Sequence, residues 1–89
     1  MPERSVRIVN EAGIHARPAA EIVKTAARFT SEITVVKDGL DVNAKSIMGV
    51  MMLAAGRGTT VLIEASGDDA EQALAALVKL IADRFGEGE

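Results

Sequence analysis

Val6 and Ile8 alternate with Ser5 and Arg7 across residues 5–9, the period-two pattern of a strand with one buried face. Residues 10–13 read as a loop. The period then lengthens, because Ala19, Ile22, Val23 and Ala26 recur at i, i+3, i+4 and i+7 and predict a helix over about 16–27. Pro18 suits the first turn of that helix, where no intrahelical N–H is required. Residues 32–37 and 40–42 are β-rich and flank Asp38-Gly39, a pair that takes the positive φ angles of a tight hairpin, so these strands should pair antiparallel. Ser46 can cap a short helix reaching about Ala54, Gly56-Arg57-Gly58 breaks it, and residues 59–65 supply a strand with Val61 and Ile63 on one side. Asp68 three residues before Glu71 makes a capping-box-like start for a last helix. Its stripe is Ala70, Ala73, Leu74, Leu77, Ile81 and Phe85, and Gly86 stops it.

The expected order is β-α-β-β-α-β-α. Half-buried strands and helices with one apolar stripe each predict a two-layer α+β open-faced sandwich, a four-stranded antiparallel sheet covered on one face by three helices. With 89 residues, one domain spanning 1–89 is expected, and the 48% apolar content supports its core without metals or disulfides. Cysteine is absent, which excludes thiol chemistry. No basic segment precedes an apolar run at the start, and the longest apolar stretch, 47–55, is too short to span a bilayer, so a cytoplasmic protein without membrane insertion is expected. A net charge of −3, with Phe29 and Phe85 the sole aromatics, argues against nucleic-acid binding. There are no repeats or low-complexity runs beyond the tail at 86–89.

The candidate chemistry gathers where the first loop becomes the first helix. His15 is the chain's one histidine, and imidazole offers a nucleophilic nitrogen near neutral pH. The last helix follows dipole rules, with Asp68, Asp69 and Glu71 at its positive start and Lys79 and Arg84 toward its negative end. The first helix breaks them, because Arg17 sits in its first turn, where a cation is disfavoured by roughly 0.3–1 kcal/mol unless an anion is present. A phosphoryl group on His15 would supply that anion. Arg17 would neutralise its oxygens, and the backbone N–H groups of Ala16 and Arg17 would donate to them. One histidine without a carboxylate cluster is a poor metal site, so no metal or cofactor is expected.

The octapeptide Gly13-Ile14-His15-Ala16-Arg17-Pro18-Ala19-Ala20 resembles the active-site signature of the HPr family, the histidine-containing phosphocarriers of the bacterial phosphoenolpyruvate:sugar phosphotransferase system. The segment from Asn43 to Met51 is similar to the family's second signature. The resemblance covers nearly the whole chain and implies the open-faced sandwich. It further implies that His15 accepts a phosphoryl group from enzyme I on Nδ1 and passes it to IIA components of sugar transporters, any magnesium requirement belonging to the enzyme partners. On this reading the chain is a phosphoryl carrier, a covalent intermediate in a relay and not an enzyme by itself, acting as a monomer. Ile14 stands where leucine is frequent, and Met52 adds an apolar group to the second segment.

Ser46 carries two readings: an N-cap worth about 1 kcal/mol, and the family's regulatory serine, modified by HPr kinase/phosphorylase. Phosphate there would sit beside Lys45 at a helix start and repel acidic partners, and transcriptional regulators join the implied partners. Met48, Met51 and Met52, with Ile47 at the border, form a candidate partner patch, since Val50, Leu53 and Ala54 share a side of the wheel away from Met48 and Met52; Ile47 and Met51 are equally readable as core. Lys24 and Arg28 extend a basic stripe from Arg17 toward acidic partners. Three other readings stay open: the carrier of a nitrogen-related regulatory branch, a module binding a metabolite anion without covalent chemistry, and an allosteric partner acting through the methionines and Ser46.

Overall fold

The computed structural model describes residues 2–10 and 13–86; positions 11–12 of the expected first loop and 87–89 of the tail lie outside them. The chain runs β1 (Glu3–Arg7), α1 (Ala16–Ala26), β2 (Glu32–Lys37), β3 (Leu40–Asn43), α2 (Ile47–Met52), β4 (Thr60–Ser66) and α3 (Ala70–Ala82), followed by a 3-10 turn at Arg84–Gly86. This is the order the residue pattern predicts. The strands form one antiparallel sheet in the order β1-β4-β2-β3. Ile33, Val35, Val42, Val61, Ile63 and Ala65 face the helices, which return Ile22, Val50, Leu74, Leu77 and Ile81 to the same core. Each large aliphatic side chain so buried contributes about 1.5–3 kcal/mol. Asp38 (φ 51°) and Gly39 (φ 82°) turn the β2–β3 hairpin, whose register closes on Lys37 opposite Leu40. No helix among the described residues is long and apolar enough to cross a membrane.

The differences from expectation lie at element ends, where tertiary pairing outweighs pattern. β1 is shifted toward the N-terminus, because its register with β4 starts at Glu3 opposite Glu64. Ile8, expected inside the strand, lies just past it but is fully buried and still exchanges backbone bonds with residues 58 and 59. α1 ends one residue early, with Ala27 as C-cap. α2 stops at Met52; Ala54 takes φ 50° and is exposed, so it leaves the inner side it was expected to share with Val50 and Leu53. α3 ends at Ala82, four residues before Gly86, and Phe85 reaches the core from a left-handed backbone (φ 56°) and not from the helical stripe.

The capping-box expectation for Asp68 is also corrected. Asp69 is the N-cap of α3, and its carboxylate makes no bond to its own helix. It accepts instead from Ser31 Oγ, from the Thr30 and Ser31 N–H groups at 2.8 and 3.0 Å, and from Thr30 Oγ. A long-range network thus outcompetes the local cap, and it ties the entry of β2 to the entry of α3. The Ser31 hydroxyl, then the Thr30 and Ser31 N–H groups, hold the Asp69 carboxyl at about 2 against a partial opposing effect of burial.

A carboxyl held below its unfolded value of 3.8 stabilises the fold fully above that pH and loses its contribution as pH falls through about 2. Asp69→Asn, which turns an amide nitrogen toward these donors, should be less stable at neutral pH and show a shallower loss of stability across that acid window. Urea unfolding followed by circular dichroism at stepped pH checks this.

Candidate functional site

His15 is the N-cap of α1, with extended backbone (φ −124°, ψ −166°) and a carbonyl that accepts from Ala19 N at 2.9 Å, the first bond of the helix. Its imidazole makes no capping bond and its side chain lies on the surface. Because the i→i−4 ladder starts at Ala19 and Pro18 has no N–H, Ala16 and Arg17 are the residues of the first turn whose N–H groups point out of the helix end. No acidic residue stands in that turn. Arg17 is exposed and makes no hydrogen bond or ion pair among the described residues. It violates two local preferences, as a cation at a positive helix end and as a helical residue before proline. α3 keeps the expected dipole pattern in part: Glu71 lies in its first turn and Lys79 in its last.

The turn before His15 is held by contacts the sequence reading did not single out. Asn10, fully buried, donates from Nδ2 to the Gly13 carbonyl at 2.7 Å, and Gly13 N–H returns to the Asn10 carbonyl at 3.1 Å. Gly13 has φ 71°, and a Cβ there would lie 2.7 Å from the Ala55 oxygen and 2.8 Å from Gly56 Cα. Ile14 N–H donates to that Ala55 oxygen at 2.8 Å and its side chain is buried, so one backbone bond and one apolar anchor fix the residue before His15. Asparagine and glycine three apart in a loop were the available signal.

Ala55 follows the C-terminal end of α2, which places that end of the short helix beside the His15 turn. Lys37 Nζ donates to the Leu53 and Ala54 carbonyls at 2.9 and 3.3 Å, capping that end. Ser46 lies at the other end, about 9 Å away along the helix axis. Its hydroxyl accepts from Gly49 N at 3.1 Å, the capping bond expected of it. Lys45 is not turned toward it: Lys45 Nζ donates to the Phe29 carbonyl at 2.8 Å, so the cation expected beside a Ser46 phosphate is committed elsewhere. Met48 (77% exposed), Met52 (65%), Ile47 (45%) and Met51 (43%) lie on the outer face, while Val50 is fully buried. Ile47 and Met51 are therefore surface residues and not core.

Lys24 and Arg28 lie on the Arg17 face of α1 and just beyond it, both exposed. Each has one contact. Glu21, at the same helical face, pairs with Lys24 at 3.7 Å, and the Arg28 guanidinium sits 5.4 Å over the Phe29 ring. Among the described residues Arg17 is the member of the expected stripe with neither an ion pair nor a ring contact. Among the described residues no cluster of three or more His, Cys, Asp or Glu side chains could hold a metal ion. An exposed imidazole at a helix end with two outward N–H groups, in a turn that also carries Arg17, can present a tetrahedral anion to another macromolecule, since it is built on a surface and not in a cleft.

Residues 2–83 match the family model described as "PTS HPr component phosphorylation site". The chain is 51% identical over its full length to the full length of phosphocarrier protein HPr of Cupriavidus necator. It superposes on a crystal structure of HPr from Thermoanaerobacter tengcongensis (HPr-C-His) with a TM-score of 0.94 and 53% identity, covering 98% of each chain. It is also similar to Bacillus subtilis Crh, described as a catabolite-repression protein forming a dimer with a swapped domain, at a TM-score of 0.76 and 44% identity over 93% of this chain and 95% of that one.

Gly13→Ala should cost about 1–3 kcal/mol, because the methyl group meets the Ala55 oxygen and the left-handed backbone disfavours a side chain. A lowered Tm in thermal unfolding, with changed chemical shifts at His15 and Ala16, is the expected result.

Proposed function

The chain belongs to the HPr family of phosphocarriers of the bacterial phosphotransferase system, and from that premise we propose that His15 is its phosphoryl-accepting residue. The imidazole Nδ1 forms an N–P bond as the bond from phosphorus to the donor, enzyme I, breaks. The group later leaves His15 for the IIA component of a sugar transporter, with imidazole as leaving group. The observation that carries this reading is the exposed His15 at a helix N-terminus whose first turn holds no acid and an arginine with no ion pair among the described residues. Arg17 and the N–H groups of Ala16 and Arg17 neutralise the developing charge, and the reaction asks little beyond positioning and such stabilisation.

Ile47, Met48, Met51 and Met52 form the partner surface, adaptable because methionine is flexible and polarisable. Lys24 and Arg28 contribute at its margin. Ser46 is the regulatory serine for HPr kinase/phosphorylase. Its hydroxyl caps α2 on the same element as the patch and about 9 Å from the helix end beside His15, so phosphate there acts on docking and not on the imidazole directly. On this reading the protein works in the cytoplasm as a monomer with transient partners. Similarity to Crh, described as a catabolite-repression protein, favours a second, regulatory role.

Incubation with phosphoenolpyruvate, magnesium and enzyme I should add one acid-labile phosphate, read by intact mass. His15→Ala should abolish it with the fold intact, and labelling of that variant would overturn the assignment. Arg17→Ala should slow acceptance about ten- to a hundredfold, the worth of one charge-assisted hydrogen bond, in quench-flow rates.

Ser46→Asp should raise the KM for enzyme I, whereas Ser46→Ala should leave it near the original value and cost about 1 kcal/mol of stability through the lost cap. Equal kinetics for both would leave Ser46 a structural cap only.

A further inference from the structure

Half of this chain's cations have assigned work. Arg4 pairs with Glu71 at 2.9 Å and Lys24 with Glu21, Lys37 and Lys45 donate to carbonyls, and Arg28 stacks on Phe29. Among the described residues, Arg7, Arg17, Arg57, Lys79 and Arg84 have no such partner. Lys79 and Arg84 stand at or just past the C-terminal end of α3, where the helix dipole accounts for a cation. Arg17 adjoins His15. Arg7 and Arg57 are both exposed, and among the described residues neither has an ion pair or a ring contact.

Their placement supplies a role. Gly56 abuts Gly13, two residues before His15, and Arg57 is the next residue along. Gly58 N–H donates to the Ile8 carbonyl at 2.7 Å, and Arg7 Nη2 lies 3.9 Å from where a Cβ on Gly58 would stand. The 56–58 turn therefore carries Arg57 at its tip and the Arg7 guanidinium against its flank. Chain steps of about 3.8 Å put the Arg57 Cα at most about 16 Å from that of His15, inside the footprint of one standard interface of about 800 Å² per partner. The chain has a net charge of −3, yet among the described residues these two arginines, on the edge of the candidate site, have no ion-pair partner.

We propose that Arg7 and Arg57 form a second docking rim, which steers and positions an acidic surface of the protein that donates the phosphoryl group. This rests on the reading of His15 as acceptor. The arginines touch the partner's carboxylates and not the phosphoryl group, so they act on encounter and on KM, with kcat unchanged. Charges at an interface rim govern association rate and its salt dependence.

The test is the kinetics of phosphoryl acceptance from enzyme I by Arg7→Ser/Arg57→Ser, Arg57→Glu, Arg57→Lys and, as remote control, Lys79→Ser. At an ionic strength of about 0.05 M the double variant should lose about three- to tenfold in kcat/KM through KM. Arg57→Glu should lose at least as much, and Arg57→Lys should retain most of the rate. At about 0.5 M the difference should fade. Unchanged KM in the double variant, an equal loss with Lys79→Ser, or a loss in kcat that salt leaves intact would overturn the proposal while His15 is still labelled. Failure of the unsubstituted protein to be labelled would overturn the His15 reading, and the rim with it.

Discussion

The bond from Ile14 N–H to the Ala55 oxygen, with Gly13 pressed against Gly56, is the constraint on which the candidate site depends. It joins the end of the first loop to the end of α2, two segments forty residues apart in sequence, and sets the direction in which the chain enters α1. His15 is the next residue, so its place at the N-cap follows from that docking more than from any contact of its own that closes the helix. Glycine at position 13 is required twice, for the positive φ and for the approach of two backbones to less than the thickness of a methyl group.

Electrostatics then separates working charges from spare ones. α3 shows the ordinary arrangement, an acid in its first turn and a cation in its last. α1 has the reverse at its start, and the cations farther along its face are quenched by Glu21 or lie over an aromatic ring. The His15 end thus combines the outward N–H groups of its first turn with an exposed arginine that has no ion pair among the described residues. On the proposed function this is a pre-built electrostatic complement for a group that arrives with negative charge and must also leave.

The same economy governs α2. Six residues bury Val50 and, with Leu53 behind it, hold the helix to the sheet, while Lys37 caps one end and Ser46 the other. The outer face is left to methionine and isoleucine. A helix this short owes its stability to its caps and tertiary contacts, so its surface is free to vary chemically at small cost to the fold.

Much of this was legible in the residues themselves. The element order, the hairpin at Asp38-Gly39, the Ser46 cap and the sheet residues of the core follow from period and turn chemistry, which are local properties. Arg17 stood out for the same reason, by breaking a local rule next to the one histidine. What the residue pattern misassigned is non-local. Asp68 reads as the cap of the last helix, but Asp69 takes the N-cap position and spends its carboxylate on Thr30 and Ser31; Phe85 looks helical and reaches the core from a turn; Lys45 looks like a neighbour of Ser46 and bonds to Phe29 in the turn after α1. Ile47 and Met51 had two local solutions, and packing against the sheet chose the exposed one. The sequence by itself determined the elements and the residue types at the site, because backbone propensity and burial period act within a few residues. Only tertiary structure decided which polar side chains meet, because long-range partners compete for the same donors and acceptors and the strongest satisfied set wins.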